Sequence, residues 1–406
     1  MDDCTECFEL TRRRLLLTAA ATFAWAHMPK AASAGETRDP RLVVIILRGA
    51  LDGLSTVGPV GDPNYENLHG KIALSLSGQN AAIPLDGFFA LNPAMPIFAT
   101  LFREGRAAVV HAAATGYRER SHFDGQDVLE SGMAAPGQVE SGWLNRAIAE
   151  IPRGDRIHDK DGLAVGAYTP LILRGGAPVI GWAPQILPVA TGDLASRVLD
   201  LYAHRDPILK VALTRGLEVD KMAHAEKDKH ADLYSIAGMK IAAQGAAKLM
   251  AADDGPRVAA LAFDGWDTHV NEGGATGRLA QLLGGLDSAF DAFRSGLGEH
   301  WKNTAIVCIT EFGRTARING TVGTDHGTAT VVLLAGGAIR GNRVITDWPG
   351  LKEANLYQNR DLKPTTDVRS VLKGVLADHL GLSPSVLADK VFPDSADVRP
   401  LAGLIA

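Results

Sequence analysis

Val258-Ala259-Ala260-Leu261-Ala262-Phe263 runs without a break into Asp264-Gly265-Trp266-Asp267-Thr268-His269. The first six residues are apolar throughout, the pattern of a strand buried on both faces. The next six place two carboxylates and an imidazole within one turn. Such a strand end can gather its acids and histidine round a cation. It can equally be a polar turn whose aspartates cap the following helix. One turn does not decide between these; recurrence of the same composition at other strand ends does.

Working outward, the same punctuation returns. Arg41-Leu42-Val43-Val44-Ile45-Ile46-Leu47 is a second all-apolar strand, ending in Arg48-Gly49-Ala50-Leu51-Asp52-Gly53. Residues 107–111 form a short apolar run, and after them come Ser121-His122-Phe123-Asp124 and a helix expected to stop at Gly132. Ser121 at that helix start reads either as the N-cap or as a nucleophile placed over the helix dipole. Downstream, Leu279, Leu282, Leu283, Leu286, Phe290, Phe293 and Leu297 recur at three- and four-residue steps, one face of a helix. The strand expected at 304–310 leads into Glu311-Phe312-Gly313-Arg314, and Gly323-Thr324-Asp325-His326-Gly327 precedes another at 330–334. Thr366 is the expected cap of a last helix, closed by Gly381.

Strands alternating with helices of this length predict an α/β fold, a mostly parallel sheet sandwiched by helices. Residues 35–406 are expected to form one domain with an inserted cap at about 134–252. The first part of that insertion is rich in Gly and Pro, with strand-like pieces such as Leu171-Ile172-Leu173. The second is mainly helical, and its Lys221, His224, Lys227, Lys229 and His230 read as a solvated face.

Ahead of the domain, Thr11-Arg12-Arg13-Arg14-Leu15-Leu16-Leu17, an apolar stretch to Met28 and Ala32-Ser33-Ala34 read as a twin-arginine signal peptide over residues 1–34. The expectation is export through the Tat translocon to the periplasm or beyond, with no stable transmembrane span. Cys4 and Cys7 fall inside the signal, leaving Cys308 as a buried small hydrophobe rather than a nucleophile. A net charge of −5 argues against nucleic acid as a partner.

In parallel sheets ligands bind beyond the carboxyl ends of the strands. Acids and histidines at several such ends point to one metal centre rather than several unrelated turns. The motifs resemble the alkaline phosphatase superfamily and, more closely, the bacterial exported family called domain of unknown function 1501. That resemblance implies an alkaline-phosphatase-like fold and a metal-dependent hydrolase of phosphate, sulfate or phosphonate esters, acting on a small-molecule or surface-polymer substrate. It implies one or two divalent ions, Zn, Mn or Ca. Asp267, His269 and His326 would hold one ion and Asp52 and Glu311 the other. Ser121 would be the nucleophile, and Arg48, Arg118 or Arg314 would grip a non-bridging oxygen. Where the wider superfamily carries a histidine after its acid this chain has Phe312, so one histidine ligand is missing unless His122 or another residue supplies it. The sulfatase signature round a cysteine or serine that becomes formylglycine is absent, with no cysteine near Ser121, which argues against the formylglycine route. The other reading from the residues is a non-catalytic exported scaffold or binding protein with at most one structural metal.

Overall fold

Arg41–Leu47 is the central strand because both its faces are apolar: Val43, Ile45 and Leu47 project into one hydrophobic core, Leu42, Val44 and Ile46 into another. The computed structural model describes residues 39–152, 162–184, 192–223 and 235–406. The expected signal peptide, and His224, Lys227, Lys229 and His230, lie outside the described residues. Asp39–Ala406 forms one contact-connected unit.

The described strands of the main sheet are β1 (Arg41–Leu47), β2 (Ala107–Ala114), β3 (Gly162–Val165), β4 (Val179–Trp182), β5 (Val258–Phe263), β6 (Thr304–Ile309), β7 (Thr330–Ala335), β8 (Arg343–Ile345) and β9 (Thr366–Asp367). Their order is β8-β2-β7-β6-β1-β5-β3-β4, with β9 beside β2. Every pairing is parallel except the two made by β7, which runs antiparallel to both β2 and β6.

The described helices of eight residues or more are α1 (Pro96–Arg103), α2 (His122–Ser131), α3 (Trp143–Glu150), α4 (Gly192–Arg205), α5 (Pro207–Ala223), α6 (Ile236–Ala251), α7 (Arg278–Gly296) and α8 (Val368–Leu380). One sheet face packs on α1, α6 and α7, the other on α3, α8 and the segment ending at Phe392. The leucine and phenylalanine stripe of α7 is buried as its spacing predicts. Full burial of each such side chain contributes ~2 kcal/mol. Among the described residues no helix is long and apolar enough to cross a membrane.

Within the insertion expected at 134–252, β3 and β4 extend the sheet beyond β5, and α6 lies in the core. Short apolar pieces join an existing sheet because an open strand edge offers them backbone partners. Leu171–Leu173 is a 3-10 turn rather than a strand. The cap of α8 is Asp367, whose carboxylate accepts from Arg369 N, while Thr366 pairs with Ala113 in the sheet.

Candidate metal centre

Close backbone packing brings the strand ends together. Gly49, just past β1, has φ +119, and a Cβ there would stand 2.4 Å from the amide nitrogen of Asp267. Only glycine lets the two strand ends lie flush, with Trp266 N donating to Arg48 O. Gly323 allows a similar approach, since a Cβ would meet His269 O at 2.3 Å. His122 enters from the first turn of α2. Asp325 and His326 arrive at the same edge because β7 is antiparallel and so begins where its neighbours end.

Three imidazoles and a carboxylate converge there. His326 Nε2 lies 2.9 Å from His122 Nε2, 3.0 Å from His269 Nε2 and 3.2 Å from Asp267 Oδ1. Asp267 is also 2.9 Å from His269 Nε2 and, through Oδ2, 3.5 Å from His122 Nε2. The ligand atoms of His122, Asp267 and His326 all lie within 4.8 Å of one another, and His269 touches two of that three.

Each imidazole is oriented from behind. Nδ1 of His122 faces Glu311 Oε1 at 2.8 Å, Nδ1 of His326 faces Arg120 O at 3.0 Å, and Nδ1 of His269 faces Asp325 Oδ1 at 3.2 Å. Oxygen acceptors at all three positions assign the ring hydrogen to Nδ1 and turn the Nε2 lone pairs toward one another. Lone pairs so close repel, and one hydrogen on His326 Nε2 cannot serve three neighbours. A cation can. Nitrogen ligands at about 2.0–2.1 Å round a tetrahedral ion stand about 3.3 Å apart, and the short contacts here run from 2.9 to 3.5 Å. The donor set therefore fits a divalent metal of the zinc kind, with the carboxylate and carbonyl partners behind the rings.

Electrostatics point the same way. Burial works to raise the Asp267 carboxyl, but the Arg314 guanidinium 2.8 Å away and the nearby imidazoles outweigh it and hold it below its ordinary value. The hydrogen bond to Glu311 raises His122, whereas burial and His122 lower His326. Glu311, fully buried, also accepts from Gly49 N, Gln126 Nε2 and Thr310 Oγ1, and these bonds with His122 overcome burial and keep it ionised. Asp267 and His269 remain 43% and 38% exposed, so the cluster opens to solvent.

Of the residues expected at this site, Asp267, His269 and His326 come together, with Glu311 behind His122. Ser121 is the N-cap of α2, its Oγ accepting from Asp124 N at 3.5 Å. Arg48 is paired with Glu130 at 2.5 Å and Tyr168 at 2.9 Å, and Arg118 is turned onto the carbonyls of Thr115 and Tyr117. Arg314 is fully buried, bonded to Asp267 and Thr324. Asp52 belongs to a separate buried group: Oδ1 caps the turn Gly53–Thr56 and Oδ2 meets His69 Nε2 at 3.1 Å, which holds its pKa at about 2 against the effect of burial. Sequence reasoning gave no part to Asp325, to the Arg120 carbonyl or to buried His69. A lone histidine on a short helix carries no periodic signal that could have singled out the last.

The profile of a protein family of unknown function, DUF1501, matches residues 39–391, and the chain belongs to that family. No curated protein matches it. Among solved structures it is similar to Ps i-CgsB in complex with k-i-k-neocarrahexaose, at 10% identity and TM-score 0.45, covering 90% of this chain and 77% of that one. It is similar to BT1596, a 2-O GAG sulfatase, at 12% identity and TM-score 0.38 over 86% and 71% of the two chains. It is also similar to the alkaline phosphatase of the Antarctic bacterium TAB5, at 11% identity and TM-score 0.31 over 74% and 92%.

Proposed function

We propose that this chain is an exported metal-dependent hydrolase of phosphate, sulfate or phosphonate esters, centred on His122, Asp267, His269 and His326. The observation that carries the reading is the convergence of Nδ1-anchored imidazoles and one carboxylate at a solvent-open sheet edge. A divalent ion bound there supplies Lewis-acid polarisation of an ester oxygen and a positive charge opposite the one that develops in the transition state. Nitrogen donors favour Zn over Mn or Ca. Arg314 keeps Asp267 ionised and in place, and Glu311 and Asp325 fix the rings they face. Ser121, one residue ahead of His122, is the hydroxyl candidate for attack; in that role its Oγ must leave the Asp124 amide. Tat export and a periplasmic or extracellular location rest on the motifs in residues 11–34.

A second reading, a non-catalytic exported scaffold or binding protein with at most one structural metal, is favoured by Asp52. Its closed pairing with His69 leaves one cation set rather than two among the described residues. Elemental mass spectrometry on protein from its native host, beside His269→Ala, separates the readings when followed by turnover of aryl phosphate, sulfate and phosphonate esters. About one equivalent of a transition metal, lost in the variant, with turnover of any ester supports the hydrolase. Metal without turnover supports the scaffold, and protein without metal removes the hydrolase and leaves the scaffold.

A further inference from the structure

The turn at residues 357–361 supplies no donor to the imidazole cluster, yet it takes hold of that cluster twice. Arg360 Nη2 donates to the main-chain carbonyl of His326 at 2.7 Å. Asp361, next to it, is fully buried, and its Oδ2 accepts from Arg120 Nε at 3.0 Å, Arg120 Nη2 at 2.8 Å and Thr328 Oγ1 at 2.8 Å. Arg120 Nη2 also donates to Gln358 Oε1 of the same turn, at 2.7 Å. The main-chain carbonyl of that same Arg120 is the acceptor facing Nδ1 of His326 at 3.0 Å. His326 is thus fastened at its own carbonyl by one residue of the turn and at its ring, through Arg120, by the next.

Burying a carboxylate is costly unless charge-assisted bonds compensate it, and here those bonds converge on a residue whose backbone needs holding. Arg120 has φ +59, a left-handed conformation that a residue with a Cβ keeps only where its surroundings impose it. It immediately precedes Ser121, the N-cap of α2, and His122, the first residue of that helix. The conformation of Arg120 therefore sets both the acceptor behind one imidazole and the entry of the helix that carries another. We propose that Asp361 is a positioning residue of the metal centre: through its ion pair with Arg120 it fixes the carbonyl behind His326 and the start of α2, and so the approach of the two Nε2 atoms. This rests on the reading of the cluster as a metal centre, but not on ester hydrolysis. Were the pair only a clasp for the turn, breaking it would lower stability and leave the surroundings of a bound cation as they are.

The test is a titration of chelator-stripped protein with cobalt(II), a substitute for zinc whose visible bands report the arrangement of its ligands. Wild type is compared with Asp361→Asn and with Arg120→Ala, which removes a side chain 19% exposed and keeps the carbonyl, so that no buried group is altered. Arg120→Lys restores the charge. Asp287→Asn, which changes a buried carboxylate bonded to Ile97 N and Phe98 N, is the control for lost stability alone. Cobalt should bind at least about tenfold more weakly to Asp361→Asn and Arg120→Ala, with altered band intensity at saturation. Arg120→Lys should recover part of both, and Asp287→Asn should match wild type in both. Wild-type affinity and bands in Asp361→Asn and Arg120→Ala, or equal losses in Asp287→Asn, overturn the positioning role while the centre stands. Wild-type protein that takes up no cobalt removes the centre, and this role with it. Because no turnover is read, absence of ester hydrolysis bears on the hydrolase alone.

Discussion

The Nε2 atoms of His122 and His326 stand 2.9 Å apart although 204 residues of chain separate them. Each ring is held by an oxygen on its Nδ1, one from the Glu311 carboxylate and one from the Arg120 carbonyl. Two strands and a helix start must be placed correctly to produce that contact, and its energy is unfavourable until a positive charge enters it.

Replacing the ring or its support should therefore cost metal. His122→Ala removes a donor, and Glu311→Gln leaves the donor but loses the carboxylate that orients it. Glu311→Gln is expected to weaken metal affinity by roughly 10- to 100-fold, and His122→Ala by at least as much. Competition with a chromogenic chelator measures both; unchanged affinity in His122→Ala would remove that histidine from the centre.

Asp52→Asn should separate stability from metal. Its carboxylate is fully buried against His69, and breaking a buried pair costs roughly 3–5 kcal/mol. Metal content should stay the same, since Asp52 lies outside the imidazole cluster. Urea unfolding and elemental analysis of one preparation check both parts; loss of a metal equivalent would reveal a second ion at Asp52.

Gly49→Ala should disturb the centre without touching any of its side chains. A φ of +119 is closed to alanine at a strain of roughly 1–3 kcal/mol, and the added methyl would meet Asp267 N. The expected result is a lower thermal midpoint together with weaker metal retention. A variant with wild-type midpoint and affinity would show that the two strand ends need not lie flush.

Acid sensitivity should trace in part to His111. Burial pushes its pKa down to about 4, and the neutral ring donates from Nε2 to Val57 O while Nδ1 accepts from Ala112 N. The unfolded chain takes up this proton near pH 6.5 and the folded protein only near 4, so the stability is present above 6.5 and is lost as pH falls toward 4. At pH 4.5 the loss amounts to about 2.5 kcal/mol. Asp287, whose carboxyl burial pushes up to about 6, acts in the opposite sense and partly hides it. Urea unfolding of chelator-treated wild type and His111→Gln at pH 7 and 4.5 isolates the difference. His111→Gln should lose less stability on acidification by that amount, and an equal loss would clear His111.

The sequence by itself determined the α/β class, the central strand and the helix stripes, because burial of a regular element leaves a period of two or four in the chain. It also marked Asp267, His269 and His326, since a strand end followed by acids and histidine is a local pattern. Tertiary structure alone decided the rest. Nothing in 330–335 tells a parallel strand from an antiparallel one, yet the reversed direction of this strand is what brings His326 to the same edge as Asp267. Nor does any local signal distinguish Asp52, turned into a buried pair with His69, from Glu311, turned behind His122. Both are acids just past central strands. Their roles differ because each carboxylate settles on the donors that distant segments bring within about 3 Å, and that proximity is a property of the folded chain.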